Sequence, residues 1–309
     1  MIPLCLVAGF LGSGKTTLLR RIAAGAGGRR FLFLVNEFSP ADIDGRTLAA
    51  DGLDVRVLPG GSIFCRCLVS QFIGQLTAIA GRAELGPLDG VVIEASGMAD
   101  PRVIARLLVE TRLDARFELA RAIAVADPVR LLKLIRTLPA IRAQLEAADV
   151  VVLNKCDLAP PAVCDEAEAL ARSLRPGATV LRAVRANVDI DPFPASPPRE
   201  PMGEYAACRD PAFETFRIAC PGPVDPARLA AAVAAAGDDL YRLKGFARSG
   251  GRTVSIQAAG DAPVFAPAAS ATGGPMELAC IVRGGTAERI RPLLESAVCG
   301  FQAGMTGPS

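Results

Sequence analysis

"GFLGSGKT", residues 9–16, is the stretch on which the fold turns. It satisfies the pattern G-x-x-x-x-G-K-[ST], and it stands where that pattern has a physical meaning, between the apolar run "IPLCLVA" and a helical stretch. Gly12 and Gly14 let backbone N–H groups turn inward around a β-phosphate. Lys15 reaches the β- and γ-oxygens, and Thr16 offers its hydroxyl to Mg²⁺, all at the positive end of a helix. Ser13 and Thr17 complete the expected cradle. The octet predicts a nucleoside triphosphate site at the end of a first buried strand.

Two further stretches extend that site. In "VVIEASG", residues 91–97, an apolar strand delivers Glu94 to its carboxyl end, where an acid can hold the magnesium or its waters. Gly97, three residues on, can present a backbone N–H to a γ-phosphate. In "VVLNKCD", residues 151–157, Asn154, Lys155 and Asp157 follow another buried strand. Asp157 can accept from the N1–H and 2-amino group of guanine, a pair that adenine lacks, while Asn154 and the Lys155 stem support the loop and cover the ring. An unpaired carboxylate facing adenine would be costly, so GTP is the expected nucleotide and GDP the product. Glu37 and Asp44, in "NEFSPADID", are candidates to position the attacking water or a water on magnesium.

Apolar runs alternate with helical stretches over the first 190 residues, and the strands are too apolar to have a wet face. That alternation predicts an α/β fold with a doubly wound, mostly parallel sheet. Residues 1–190 are assigned to this P-loop domain. "DIDPFPASPPREPMG" predicts a proline-rich linker over 191–203. Residues 204–309 then read as a smaller α+β domain, with "FETFRIAC", "DLYRLKGFAR", "TVSIQAA" and "MELACIVRG" as strands. Asp225 caps one helix with Pro226 in its first turn, Thr286 caps a second, and "GDAPVFAPAASATGG" reads as a mobile loop.

Bulk composition narrows the partners. A net charge of +2 without a basic run argues against nucleic acid, and no stretch approaches a membrane span. The apolar start has no basic leader, and the 9 cysteines are odd in number and irregularly spaced, so a cytoplasmic protein with reduced thiols is expected. Histidine is absent.

"GFLGSGKTTLL", "NEFSPADIDG", "IEASGMADP", "VVLNKCDL" and "YRLKGF" together resemble the blocks of the CobW family, in that family's order and over nearly the whole chain. The family is the metal-linked branch of P-loop GTPases that includes relatives of HypB and UreG. The resemblance implies slow GTP hydrolysis with Lys15, Glu37 and Glu94 in the catalytic machinery. It also implies delivery of zinc or cobalt to a client metalloprotein, or a part in corrinoid metabolism. Members usually carry C-x-C-C after the second strand; here Ser62 and Phe64 replace the first two cysteines, Cys65 matches, and Cys67 is additional. The Cys65/Cys67 pair is open to three readings: thiolate ligands for Zn²⁺ or Co²⁺, thiol exchange, or simple packing. The rival functions are a GTP-switched chaperone for a corrinoid-dependent enzyme without metal transfer, and a P-loop ATPase or kinase. A homodimer is a candidate assembly.

Overall fold

A computed structural model describes residues 1–37, 52–59, 69–81, 88–194, 213–259, 262–268 and 276–298. The chain divides into two compact units, residues 1–208 and 209–309.

The first unit is a parallel sheet of seven strands: β1 (Ile2–Ala8), β2 (Phe31–Glu37), β3 (Asp54–Pro59), β4 (Gly90–Glu94), β5 (Phe117–Ala126), β6 (Val150–Leu153) and β7 (Thr179–Arg182). They lie in the order β3-β2-β4-β1-β5-β6-β7, every neighbouring pair parallel. The helices among the described residues of this unit are α1 (Lys15–Ala24), α2 (Val69–Ala80), α3 (Val103–Glu110), α4 (Pro128–Leu134), α5 (Pro139–Glu146) and α6 (Pro161–Leu174). The apolar runs that announced the strands are needed because both faces are covered. Leu4 and Leu6 of β1 join one core layer with Phe72 and Leu76 of α2 and Leu107 of α3. Cys5 and Val7 join the other, with Leu18, Leu19 and Ile22 of α1.

Winding runs outward from β1 in both directions, so the carboxyl ends of β1, β4, β5 and β6 open onto one crevice. Register sharpens this. Val7 of β1 is level with Glu94 of β4, and Ala95 donates its N–H to Val7 O at 2.9 Å. Val35 of β2 is also level with Glu94, so Glu37 ends its strand two residues beyond.

Below the crevice the start of the proline-rich stretch is packed. Arg29 pairs with Asp191 at 3.0 Å, Arg121 donates to Asp191 O, and the Phe193 ring meets Phe31 edge to face with centroids 5.1 Å apart. Gly90 makes room for that ring, since a Cβ there would collide with it. Aromatic contact and ion pairing therefore override the extended, unpacked behaviour that the prolines suggested for residues 191–194. The remainder of the predicted linker lies outside the described residues.

The second unit is an antiparallel sheet, β8 (Phe213–Ala219), β9 (Leu240–Ser249), β10 (Arg252–Ala258), β11 (Val264–Pro267) and β12 (Glu277–Arg283), in the order β11-β10-β9-β12-β8. Helices α7 (Pro226–Ala236) and α8 (Ala287–Val298) bury Leu229, Val233, Ile290 and Leu294 against Leu243, Ile256, Leu278 and Cys280. As expected, Asp225 caps α7, accepting from Ala227 and Arg228 N–H, with Pro226 in the first turn. Two expectations are corrected. Part of "GDAPVFAPAASATGG" is strand β11, because Val264–Pro267 pairs antiparallel with β10 at the sheet edge, where proline costs no ladder bond. Thr286 does not cap α8 with its hydroxyl, which donates back to Arg283 O at 2.7 Å; the Ala287 N–H is taken by the Glu214 carboxylate of β8 at 3.0 Å.

Candidate functional site

The loop between β1 and α1 is shaped by glycine. Gly9, Gly12 and Gly14 have φ of 145°, 74° and 106°, all in the left-handed half of backbone space. Gly14 also lies where a Cβ would collide with Asn154 Nδ2. Helix α1 starts from it with no side-chain cap and no acidic residue in its first turn. Its first-turn N–H groups and positive end thus face the loop without a capping side chain, the arrangement that suits a phosphate. Ser13 Oγ and Ser96 Oγ are buried, with no hydrogen-bond partner among the described residues. Orphaned polar atoms beside such a cradle fit a polar ligand that supplies the missing partners.

Lys15 is 6% exposed and folds back over its own loop, donating to Gly9 O at 2.8 Å and to Phe10 O at 3.4 Å. Thr16 donates its hydroxyl to Glu94 Oε2 at 3.5 Å. A hydroxyl and a carboxylate brought together from α1 and β4 form a hard oxygen donor set of the kind Mg²⁺ takes. Gly97 follows Glu94 in a turn closed by Ala99 N–H to Ser96 O at 3.0 Å, and a Cβ on it would stand 2.7 Å from the Leu11 nitrogen. The P-loop and the loop after β4 are in contact there.

The loop after β6 is tied to the same cradle. Asn154, 3% exposed, donates Nδ2–H to Ser13 O at 2.9 Å and accepts from the Ala186 N–H at 2.7 Å. Lys155 has a positive φ of 63° and pairs with Asp127 at 3.1 Å. Asp157 lies in the short 3-10 turn Cys156–Leu158 with its side chain exposed. Between them, burial pushes the Cys156 thiol above its ordinary pKa, and Cys164 of α6 adds to this against a lowering backbone hydrogen bond at Ala183.

Lys15, Thr16, Glu94, Gly97 and Asn154 are brought together around one loop. Glu37 is placed only by its backbone, at the end of β2. Cys65, Cys67 and Asp44 lie outside the described residues, and among the described residues no three Cys, Asp or Glu side chains gather as a metal-binding group. Several residues escaped the sequence reading. Asp127 caps α4, accepting from Val129 and Arg130 N–H, while its other oxygen takes Lys155. Arg130 donates to Leu11 O at 3.0 Å and lies over the Phe10 ring, buttressing the P-loop. The signal for Asp127 was visible, since "ADP" at a strand end predicts a cap; nothing local marked Arg130 or Ala186.

A parallel sheet with a glycine cradle after its central strand, a threonine and an acid from neighbouring elements, and a polar loop tied in from β6 define the P-loop nucleoside triphosphatase fold. The family model for the CobW/HypB/UreG nucleotide-binding domain matches residues 3–182, and that for the cobalamin synthesis protein cobW C-terminal domain matches residues 213–298. The chain belongs to the CobW/HypB/UreG family of P-loop GTPases.

Among its relatives, the zinc chaperone YeiR of Escherichia coli (strain K12) is 34% identical over 158 residues, covering 50% of this chain and 47% of that one. The zinc chaperone CobW of Sinorhizobium sp is 29% identical over 309 residues, covering 84% and 85%. This chain therefore spans about half the length of the first relative and most of the second. The Zn(II)-bound YjiA GTPase from E. coli aligns over 96% of this chain and 98% of its own at 21% identity, with a TM-score of 0.42. Among the described residues no helix is long and apolar enough to cross a membrane.

Proposed function

We propose that the chain binds GTP with Mg²⁺, hydrolyses it to GDP and phosphate, and uses that cycle to hand Zn²⁺ or Co²⁺ to a client metalloprotein or into corrinoid metabolism. One observation carries the nucleotide half of the reading: Asn154 ties the predicted base-reading loop to the P-loop through Ser13 O. The loop proposed to read the base and the loop proposed to hold the phosphates are thus hydrogen-bonded to each other. Two relatives named as zinc chaperones support the metal half.

On nucleotide entry Lys15 exchanges Gly9 O and Phe10 O for β- and γ-phosphate oxygens, an exchange of neutral for charge-assisted hydrogen bonds. The amides of Gly12 to Thr17 cradle the β-phosphate, and Asp157 reads the guanine edge. Thr16 and Glu94 would hold Mg²⁺, which supplies charge neutralisation at the β- and γ-oxygens. Glu37 positions the attacking water. Catalysis on this plan is positioning and electrostatics, and turnover without a partner is slow. Cys65 and Cys67 are the proposed thiolate ligands for the cargo metal, and a homodimer is the proposed assembly.

Calorimetry on the full chain with Mg²⁺ tests the nucleotide half. GTP is expected to bind, and ATP to give no heat at concentrations that saturate GTP. Asp157→Ala is expected to lose that preference, as a single readout of the guanine amine should. Equal affinity for ATP and GTP in the unaltered chain would support the ATPase or kinase instead.

A further inference from the structure

Gln144 is an amide in an apolar place. It stands on α5 and is 2% exposed, although glutamine is mostly a surface residue. Its Nε2 donates to two carbonyls of another segment, Gly97 O and Ala99 O, both at 3.1 Å. Those carbonyls belong to the turn closed by Ala99 N–H to Ser96 O. Gly97 also lies so close to Leu11 that any side chain would strike the P-loop. The turn therefore has two supports, the P-loop backbone and one buried amide. A small cavity lined by Leu11, Ser13, Asp127, Arg130 and Gln144 adjoins the same loop.

We propose that Gln144 is a positioning residue that fixes the turn at 96–99 so that the Gly97 N–H meets the γ-phosphate, and that it thereby sets the preference for GTP over GDP. The inference rests on the reading of Gly97 as a γ-phosphate donor. GDP presents no third phosphate and needs nothing from this turn. Glutamine suits the task because one nitrogen carries two hydrogens and can restrain two carbonyls; an ionised glutamate offers none, and leucine offers none. Removing the donor leaves two carbonyls in an apolar place, and the turn relieves them by moving, which carries the Gly97 amide away from the third phosphate.

The test uses the full chain with Mg²⁺ and fluorescent GDP and a non-hydrolysable GTP analogue, comparing the unaltered protein with Gln144→Leu and Gln144→Glu. Both variants are expected to keep the Kd for GDP within about twofold and to weaken the GTP analogue by about tenfold or more, the loss of two buried hydrogen bonds. An unchanged ratio of the two affinities, or equal loss for both nucleotides, overturns the proposal. An unaltered chain that binds neither nucleotide is a different failure, that of the GTP reading itself. Should Gln144→Leu fail to fold, Gln144→Glu keeps the shape while exchanging donor for acceptor. In the unaltered chain, amide exchange over residues 96–99 must slow more with the GTP analogue than with GDP; equal protection also overturns the proposal.

Discussion

Asn154 can be oriented in only one way. Ser13 O can only accept and Ala186 N–H can only donate, so the amide must place Nδ2 against the first and Oδ1 against the second. One side chain thereby joins β6, the P-loop and the segment after β7. Asn154→Asp keeps the size and the Ala186 bond but sets a carboxylate oxygen against Ser13 O, acceptor against acceptor. It is expected to lower GTP affinity at least tenfold and to cost about 1–3 kcal/mol in stability, both measured on purified protein by calorimetry and urea denaturation. Asn154→Ala, which removes the bond without adding repulsion, should lose less affinity than the aspartate. The motif "NKCD" announced that Asn154 supports a loop. It could not announce the partners, because Ser13 lies 141 residues away and Ala186 lies 32 away. Gln144 was invisible for the same reason: an amide in a short helix reads as surface until the fold buries it.

At the scale of elements, legibility followed burial. β1, β2, β4, β5 and β6 are runs of apolar residues because both faces are covered, and each was readable in sequence. β7, with only Val180 among its four residues buried, had no such run to betray it, and the short apolar run of the edge strand β11 was hidden by Pro263 and Pro267. Residues 191–194 read as unpacked linker because proline content signals an extended chain but says nothing of what a phenylalanine beside it can reach. Two acids here depend on pH. Asp191 is held below its ordinary pKa: burial works against ionisation, but the Arg29 hydrogen bond, the Phe193 N–H and the charges of Arg29 and Arg121 outweigh it. Glu168 of α6 is lowered by hydrogen bonds from Arg172 and Arg182. A carboxyl group with a lower pKa folded than unfolded stabilises fully above its unfolded value, and loses that contribution as the pH falls through the folded one. Stability is therefore expected to drop on acidification through about pH 4 and below. Asp191→Asn and Glu168→Gln should each flatten that slope and lower the plateau near neutrality, as read from urea midpoints at stepped pH. Phe193→Ala should cost roughly 2 kcal/mol at every pH, less than the 3–5 kcal/mol of a fully buried phenylalanine because the ring is partly exposed. A pH-dependent loss in that variant would mean that charge and not ring packing holds the segment.

For the whole molecule the question is whether nucleotide state and metal affinity are one equilibrium. The strand order β3-β2-β4-β1-β5-β6-β7 gathers the P-loop, Glu94 and the end of β2 at a single crevice, and the segment bearing Cys65 and Cys67 runs between β3 and α2 of that same unit. Alternation of strands and helices made the doubly wound class readable, whereas the order of strands depends on long-range pairing that no local pattern carries. If the proposed delivery function holds, GTP and metal must alter each other's affinity by the same factor, since linkage between two sites is reciprocal. Zn²⁺ and Co²⁺ titrated into reduced, full-length protein with a GTP analogue, with GDP and without nucleotide should give distinct affinities, with one nucleotide state tighter by about 5- to 150-fold. The reverse titration, GTP analogue into metal-loaded and metal-free protein, should return the same ratio. Cys65→Ser with Cys67→Ser should abolish the metal dependence while leaving GTP affinity in metal-free protein unchanged, and should remove the thiolate charge-transfer absorption of the Co²⁺ form. If no nucleotide state holds metal more tightly than the double serine variant does, these thiols do not carry the cargo. The GTP cycle would then serve a protein client directly, and client binding would survive both serine substitutions.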